Sequence, residues 1–429
     1  MLVSDAAHAR GRASLRDLPI ARHHIGLNLI FLVPGETGGM EVAARELIPA
    51  LLAQAPSTMR FTAYVNREAA AAGGPWGELL PAVTVPVHAR SRPQWVLGEQ
   101  TLLPALAARD RVSLLHSLAS TAPLIGPFRR VVTIHDLIYA RFPEAHAGIR
   151  DKGMRVLVPA AARRSDRVIA DSQSTRSDLL ELLGLRAERI DVVPLGLGAP
   201  RRATPLAEAE TRARFELGAR PVLLGLSAKR PHKNLLALIE ALAEIAAAER
   251  PVLVLPGYPT EHEAVLRARA LKLGVDEDVR FPAWVSSEEL EGLWALARAF
   301  VFPSLYEGFG LPVLEAMARG VPVACSGASS LPEVAGDAAL LFDPRSREQI
   351  AVALRRMLED EPLRSRLREL GLARAREFTW ERTARLTLEV YARALGEVAP
   401  ADEAPATGPP PSGAPGGGSS GDAPREPSR

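Results

Sequence analysis

Two glutamates flank a glycine turn in the second half of the chain. Residues 303–327 read PSLYEGFGLPVLEAMARGVPVACSG, so Glu307 precedes the turn Gly308-Phe309-Gly310 and Glu315 follows it. Carboxylates in these places can accept hydrogen bonds from hydroxyl groups, one from a sugar and the other from a ribose. A lone glutamate is more often an ordinary surface acid, but the whole string predicts a site for a sugar nucleotide.

The turn is followed by the pattern of a short helix. Pro312 suits a first helical position, because its missing N–H would have no partner there, and Gly320 suits the residue just past the helix end. The first amides of a helix have no partner inside it and carry partial positive charge. Glycines ahead of them let a bulky anion approach the main chain. We therefore expect a diphosphate to bind at this helix start.

The second chemical cluster is a basic loop. Lys229, Arg230 and Lys233 follow the predicted strand Val222–Leu226 at its carboxyl end, and Asn234 can cap the next helix. An ammonium group and a forked guanidinium group both suit phosphate oxygens. Enzymes stabilise the charge that develops on a leaving diphosphate with a divalent metal or with fixed cations and amides. Together with the two glutamates, this loop favours stabilisation by fixed cations and amides. By itself, a basic loop at a helix start would be interpreted as an ordinary solvated loop.

The first half of the chain contributes weaker signals. His135 and Asp136 close a predicted strand, where a histidine can either donate a hydrogen bond to a sugar hydroxyl or hold a structural turn. Gly38 and Gly39 stand at the start of the first predicted helix, where backbone amides can face a phosphate.

One acidic triplet has the sequence of a metal-binding motif but not the position that such a motif requires. Asp276-Glu277-Asp278 has the Asp-x-Asp pattern of metal-dependent transferases, but it precedes the predicted strand Val279–Phe281, at the amino end of the sheet. A solvated charge cluster is the better interpretation. We expect no metal and no cofactor other than a nucleotide-sugar co-substrate.

Short apolar runs alternate with amphipathic helical stretches along most of the chain. This alternation predicts mostly parallel sheets covered by helices on both faces, and it occurs in two series. The predicted strands are 25–32, 61–65, 83–87, 114–118, 131–134, 168–170 and 190–193 in the first series, and 222–226, 252–255, 279–281, 300–302, 321–325 and 339–342 in the second. The fold class is therefore α/β, with two doubly wound, Rossmann-like domains in tandem and a cleft at the carboxyl ends of their strands.

The predicted boundaries follow from changes in composition. They are a poorly ordered extension (1–22), a first domain (23–198), a second domain (199–379), a last helical segment (380–398) and a disordered tail rich in Pro, Gly and Ser (399–429). The last helix is predicted from about Trp380 to Leu395, with an apolar surface that needs a partner on more than one side. This segment can cross back onto the first domain or simply finish the second.

The motifs resemble the signature of the retaining glycosyltransferases of family 4, which have the GT-B fold. The resemblance rests on the E-x7-E string around Gly-Phe-Gly-Leu-Pro, on residues 227–234 (SAKRPHKN) and on residues 133–137 (TIHDL), and it runs from about residue 23 to 398. It implies a first domain that binds the acceptor, a second domain that binds the donor, and a last helix that crosses back to the first domain.

The resemblance also implies roles for single residues. Glu307 and His135 would contact the donor sugar, Glu315 would bind the ribose, and Lys233 would bind the diphosphate. The donor would also be held by the amides of the turn and the residue after it, namely Gly308, Phe309, Gly310 and Leu311.

Two further assignments stay open. The family often has an arginine where this chain has Ser227 or Ala228, and either Arg230 or Lys229 could replace it. The loop Trp284-Val285 would lie along the nucleotide base by the same resemblance, or it could be hinge packing.

Bulk composition narrows the classes of function. The chain has 429 residues, 47% of them hydrophobic, which is enough for two sizeable cores. Lys and Arg total 52 against 50 Asp and Glu, and the resulting net charge of +2 argues against a nucleic-acid partner. The single Cys325 can form no internal disulfide, which fits a reducing cytoplasm. No run predicts a membrane helix or a signal peptide, so we expect a cytoplasmic protein with at most peripheral membrane contact.

We therefore predict a metal-independent, retaining glycosyltransferase. Its donor would be a nucleotide-diphosphate hexose, with GDP-mannose chosen because the motifs resemble mannosyltransferases of surface polysaccharide assembly. Its acceptor would be a hydroxyl group of a glycan or of a lipid-linked sugar. Two alternatives stay open: a non-catalytic protein of the same fold that binds nucleotide sugars, and a sugar-nucleotide epimerase or phosphorylase on the same architecture.

Overall fold

The structure, a computed structural model, describes residues 22–142, 149–198 and 203–397. The predicted tail (399–429) lies outside these residues, and so does the predicted N-terminal extension except for Arg22. Among the described helices, none combines the length and the apolar character needed to cross a membrane.

The first lobe is built around a seven-stranded sheet. Its strands are β1 (His23–Leu29), β2 (Met59–Val65), β3 (Ala82–Thr84), β4 (Leu114–Ser117), β5 (Arg129–Ile134), β6 (Arg167–Ala170) and β7 (Ile190–Val192). They are all parallel and lie in the order β3-β2-β1-β4-β5-β6-β7. The helices of this lobe are α1 (Gly39–Gln54), α2 (Arg67–Ala72), α3 (Pro75–Glu78), α4 (Arg92–Leu97), α5 (Leu103–Arg109), α6 (Ile138–Arg141), α7 (Ile149–Arg164) and α8 (Gln173–Leu183).

The second lobe repeats this plan with six strands. They are β8 (Val222–Leu224), β9 (Val252–Val254), β10 (Val279–Arg280), β11 (Ala297–Phe302), β12 (Val323–Ser326) and β13 (Ala339–Phe342). They too are parallel, in the order β10-β9-β8-β11-β12-β13. The helices are α9 (Glu208–Arg214), α10 (Leu235–Ala243), α11 (His262–Lys272), α12 (Ser287–Leu296), α13 (Leu311–Ala318), α14 (Leu331–Ala335), α15 (Arg347–Glu359), α16 (Glu361–Ala375) and α17 (Trp380–Leu395).

All thirteen predicted strands are present, and their ends differ from the predicted ones by no more than three residues. The two-lobed α/β fold is therefore confirmed. Both strand orders reverse direction beside a central strand, β1 in one lobe and β8 in the other. The crevice outside the carboxyl ends of the strands at such a reversal is the usual ligand site of doubly wound sheets.

Helix α17 packs on the first lobe, although the chain reaches it after leaving the second. Its buried Trp380, Val390 and Tyr391 belong to the same apolar core as β1 and α1. The Tyr391 hydroxyl lies 2.7 Å from Nδ1 of His116 on β4. Apolar burial and this internal hydrogen bond fix the second lobe to the first through its last helix.

Candidate active site

The turn between β11 and α13 is shaped by Gly310. Its φ of 109° lies in the left-handed region that favours glycine, and α13 begins at the next residue, with Pro312 in its first turn. The side chain of Phe309 is buried in the second-lobe core, and that of Leu311 is partly buried against it. The predicted helix start is present at the carboxyl edge of the sheet.

Glu307 and Lys233 form an ion pair beside this turn. Nζ of Lys233 lies 2.6 Å from Oε1 of Glu307, and the two side chains are 18% and 12% exposed. The ammonium group also lies 5.6 Å from the centre of the Phe302 ring, within the range of a cation–π contact. The residues are 74 positions apart and meet because β8 and β11 are neighbours in the sheet. A cation and a carboxylate are thus available to the same ligand.

Two serines that the sequence analysis missed hold the carbonyl groups of the turn. The Ser329 hydroxyl donates to the carbonyl of Glu307 at 2.6 Å, and the Ser330 hydroxyl donates to that of Phe309 at 2.7 Å. The amide of Glu307 donates in return to the Ser329 hydroxyl at 3.2 Å. The available signal was their place in the loop after β12, because polar residues that follow a parallel strand lie at the ligand edge.

Gly308 lies where the two lobes touch. A Cβ atom at this position would collide with the carbonyl oxygen of His135 and would lie 3.0 Å from Cβ of Asp136, so a larger residue does not fit. The carbonyl of Gly308 accepts hydrogen bonds from the hydroxyls of Ser172 at 2.7 Å and Thr175 at 3.2 Å. The first-lobe loop after β6 therefore holds the glycine turn of the second lobe.

His135 lies behind this contact as a charged histidine. Its Nδ1 is 2.7 Å from Oδ2 of Asp171, and its Nε2 is 3.0 Å from the carbonyl oxygen of Leu118. Both partners only accept hydrogen bonds, so both ring nitrogens donate. Burial lowers the pKa of His135, but the charge and hydrogen bond of Asp171 and the bond to Leu118 together outweigh it and raise the pKa to about 9. The predicted contact with a sugar would require one of these bonds to be exchanged.

Glu315 lies on α13, whose first residue is Leu311, whereas Glu307 precedes this helix. Burial raises the pKa of its carboxyl group, and the charge of Arg319 offsets this only in part. Among the described residues the Glu315 carboxylate has no hydrogen-bond donor, since Arg319 donates to Glu291 and to the main-chain oxygen of Glu315. Ionised Glu315 can therefore accept hydrogen bonds from the hydroxyls of a ligand.

The structure separates Lys229 from Arg230. Lys229 is fully buried, its ammonium group donates to the carbonyls of Gly257 at 2.6 Å and Pro282 at 3.2 Å, and burial lowers its pKa. Arg230 is exposed just before the short turn that carries Lys233. Of the two candidates for the missing arginine, Arg230 is the one that a ligand can reach.

Asn234 precedes α10 but does not cap it with its side chain, which corrects the sequence prediction. Its amide donates instead to the carbonyls of Pro303 at 3.2 Å and Pro344 at 2.7 Å. These bonds tie the Lys233 loop to the segments that follow β11 and β13, so Asn234 positions the loop.

Four other predicted positions follow strands β1 and β10 along the chain. Gly38 and Gly39 start α1, and among the described residues no atom lies within 4 Å of the place that a Cβ atom of either would take. Beyond β10, Trp284 is 77% exposed, whereas Val285 packs against the second-lobe core. Open space at the glycine pair and an exposed indole both suit a ligand-facing surface.

The last member of the acidic triplet before β10, Asp278, is held in structural ion pairs, whereas Asp276 and Glu277 are exposed. Asp278 lies 2.5 Å from Nη1 of Arg220 and 2.9 Å from Nη1 of Arg250. Among the described residues, no group of three or more His, Cys, Asp or Glu side chains is arranged to hold a metal ion. Asp278 thus ties the amino end of β10 to Arg220 and Arg250.

A second contact between the lobes lies beside the turn. The carboxylate of Glu333, on α14, accepts hydrogen bonds from the amides of Gln173 at 2.9 Å and Ser174 at 3.0 Å, the first residues of α8. The hydroxyl of Tyr306 donates to Asp178 of the same helix at 2.7 Å. A carboxylate is favoured at a helix N-terminus, so the second lobe supplies the anion that α8 requires.

Each lobe matches a known family model. Residues 37–197 match the model described as Glycosyltransferase Family 4, and residues 208–374 match the model described as Glycosyl transferases group 1. O-antigen chain mannosyltransferase B of Escherichia coli is 34% identical over 269 residues, which are 61% of this chain and 70% of that protein. The chain belongs to the group 1 glycosyltransferases. The family 4 resemblance of the motifs is therefore confirmed.

Other similar proteins agree with this group. D-inositol 3-phosphate glycosyltransferase of a Nocardioides species is 34% identical over 329 residues, which are 72% of this chain and 67% of that protein. The structure of sucrose-phosphate synthase from Thermosynechococcus elongatus superposes with a TM-score of 0.69, at 20% identity, over 88% of this chain and 100% of that one. At this identity the likeness shows the fold alone, and that fold is GT-B. A glycosyltransferase of this group uses a nucleotide-sugar donor and a glycan acceptor.

Proposed function

We propose that this glycosyltransferase transfers mannose from GDP-mannose to a hydroxyl group of a glycan or lipid-linked acceptor, with retention of configuration and without a metal. The observation that carries the proposal is the 2.6 Å pair of Lys233 and Glu307 beside the start of α13. It combines the two requirements of the reaction, a cation for a diphosphate and a carboxylate for sugar hydroxyls, at one helix start.

Lys233 is the group that receives the leaving diphosphate in this proposal. When a donor enters, its phosphate oxygens compete with Glu307 for the ammonium group, and the amides at the start of α13 supply further donors. Exposed Arg230 lies on the same loop and adds a second positive charge. These fixed charges oppose the negative charge that builds up as the bond to the sugar breaks.

Glu307 would then orient the sugar. Once the ammonium of Lys233 turns to the diphosphate, the Glu307 carboxylate is free to accept hydrogen bonds from the sugar hydroxyls. Glu315 would bind the ribose, and exposed Trp284 would lie along the base. The Nε2–H of His135 donates to the carbonyl of Leu118 in this structure. A sugar hydroxyl would replace this carbonyl as the acceptor, since Nδ1 stays bound to Asp171.

The favoured mechanism is transfer on one face of the sugar. The bond between the anomeric carbon and the phosphate oxygen breaks, the acceptor oxygen bonds to the same face, and the acceptor proton passes to the departing phosphate oxygen. No side chain of the protein needs to act as a base or as a covalent nucleophile. This agrees with the use of Glu307 as a hydrogen-bond acceptor for hydroxyls.

Mannose is proposed from a relative and not from the geometry of the site. The printed name of the Escherichia coli relative is O-antigen chain mannosyltransferase B. That name also supports a glycan acceptor of the kind found in an O-antigen chain.

A binding and transfer experiment tests each part of this proposal separately. Melting temperatures are measured with GDP-mannose, UDP-glucose, UDP-galactose and a rhamnosyl donor, all with EDTA present. GDP-mannose at about 100 times its Kd should add about 2.7 kcal/mol of stability. Sugar transfer to a mannose-terminated oligosaccharide is then followed, and the anomeric configuration of the product is read by nuclear magnetic resonance.

The outcomes are distinguishable. Stabilisation by a different nucleotide sugar would correct the donor only, and loss of transfer in EDTA would refute metal independence. An inverted product would refute retention. Binding of the donor without any transfer would favour the non-catalytic alternative.

A further inference from the structure

Arg319 directly follows α13, four residues after Glu315, and its side chain is bound by a carboxylate from another helix. Its Nε lies 3.2 and 3.1 Å from the two carboxylate oxygens of Glu291 on α12, and its Nη2 lies 2.5 Å from Oε1 of Glu291. The side chains of Arg319 and Glu291 are 14% and 8% exposed, and the guanidinium group lies 5.3 Å from the centre of the Trp294 ring. This is a forked, largely buried ion pair.

Arg319 has a second carboxylate within reach. Glu315 and Arg319 are four residues apart, the spacing at which a glutamate and an arginine on one helix pair most readily. Nη1 of Arg319 already donates to the main-chain oxygen of Glu315 at 3.0 Å. Even so, the guanidinium group is bound to Glu291, and among the described residues no donor occupies the Glu315 carboxylate.

We propose that Glu291 is a positioning residue for donor binding: by holding Arg319, it keeps the Glu315 carboxylate free for the ribose hydroxyls. This inference rests on the proposed role of Glu315 in the reaction. Without the negative charge of Glu291, Arg319 turns to Glu315, and the donor must then break an ion pair in order to bind. Glu291 acts only through Arg319 and itself touches no ligand.

The other charged groups near α13 have partners of their own. Arg368 of α16 donates to the carbonyl of Gly320 at 3.1 Å, and Arg374 of α16 lies 2.5 Å from Glu377. Glu333 of α14 is bound to the amides that start α8. Neutralising Glu291 therefore changes two things at Glu315: it removes the repulsion of a like charge, and it releases Arg319 as a competing cation.

The test compares the binding of nucleotides that differ only in their ribose hydroxyls. Calorimetry gives the Kd of GDP and of 2′,3′-dideoxy-GDP, and of UDP and 2′,3′-dideoxy-UDP, for the full chain and for Glu291→Gln. Removal of the hydroxyls should raise the Kd about tenfold in the unaltered protein and only about twofold in Glu291→Gln. With GDP-mannose as donor, KM should rise about fivefold while kcat changes by less than about twofold.

A second variant separates positioning from a merely structural role. The combination of Glu291→Gln with Arg319→Met removes the competing cation. The ratio of the Kd of the dideoxy nucleotide to the Kd of the ordinary nucleotide should then again be about ten. If loss of the ion pair only damaged the structure, the Kd of both nucleotides would rise by the same factor, and the further substitution Arg319→Met would not restore it. Melting temperatures show which variants are folded.

Two results overturn the inference. One is a folded Glu291→Gln protein in which the ratio is unchanged. The other is a folded double variant in which the ratio stays near that of Glu291→Gln, and this result decides the matter even if Glu291→Gln alone does not fold. If the unaltered chain binds neither GDP nor UDP, the proposed function fails together with the inference. If the unaltered chain binds them and the binding depends on the ribose hydroxyls, an unexpected result in the variants contradicts only the role of Glu291.

Discussion

The two lobes present similar polar residues at the carboxyl edges of similar sheets, but they use them differently. In the second lobe, Lys233 pairs with Glu307, and the Glu315 carboxylate has no donor among the described residues. In the first lobe, both ring nitrogens of His135 are bound to Asp171 and to a carbonyl. A phosphate can replace Glu307 as the partner of Lys233, whereas the hydrogen bonds of His135 in the first lobe are made to the protein itself.

A polar residue at the carboxyl end of a strand is therefore not always available to contact a ligand. The first-lobe residues Ser172 and Thr175 hold the carbonyl of Gly308, so their hydroxyls position the turn of the other lobe. In the proposed reaction, the edge of the second lobe would bind the donor, and the edge of the first lobe places the turn against which the donor would lie.

The largest effect is expected from Glu307→Gln in the second lobe. Loss of the carboxylate charge removes the hydrogen bonds proposed to orient the sugar, so kcat should fall about 10²–10³-fold. It also leaves Lys233 without its anionic partner, so the melting temperature should fall as well, and kcat is compared at a temperature where the variant is folded. Steady-state transfer from GDP-mannose and thermal unfolding measure the two quantities. Turnover close to that of the unaltered protein would remove Glu307 from the site.

Asp171→Asn should act on stability in the first lobe. It leaves His135 in a buried position without its anionic partner, which should lower the free energy of unfolding by about 3 kcal/mol at pH 7. The pKa of His135 is raised from 6.5 to about 9, so its contribution is complete below about pH 6.5 and is lost as the pH rises through about 9. Urea unfolding at pH 6, 7.5 and 9 should show this loss in the unaltered protein and not in Asp171→Asn. Parallel pH profiles for the two would contradict a charged His135.

Glu333→Gln weakens the contact between the lobes. Because the carboxylate serves two amides at the start of α8, its neutralisation should cost about 1 kcal/mol and speed hydrogen exchange at Gln173 and Ser174. Glu261→Gln is the matched control, since Glu261 is exposed and makes no capping bond at the start of α11. Equal exchange in both variants would mean that the lobes are held by other contacts.

The smallest effect should distinguish the two cations of the basic loop. Arg230→Gln removes an exposed charge near the diphosphate and should raise the Kd of GDP by roughly two- to fivefold, the range of an exposed ion pair. Lys229→Met alters a buried ammonium group that serves two carbonyls, so it should change stability more than GDP affinity. The reverse pattern would assign the missing arginine to Lys229.

Much of the fold could be predicted from local patterns. Thirteen strands, a helix start within one residue of Pro312 and the limits of α17 at Trp380 and Leu395 follow from apolar periodicity and from the conformational preferences of proline and glycine. These properties depend on residues within one or two turns of each other. The glutamates around the glycine turn and Lys233 were identified from the same short strings.

What the sequence alone determined is therefore the set of elements and the residue types at the crevice. The tertiary structure alone decided which polar groups are already bonded: Lys229 to two carbonyls, Arg319 to Glu291, and Glu333 to the start of α8. The physical reason is that each of these bonds joins segments from different strands or lobes. Which hydrogen bond a long polar side chain makes depends on the groups that folding brings within about 3 Å of it, and no local pattern records that neighbourhood.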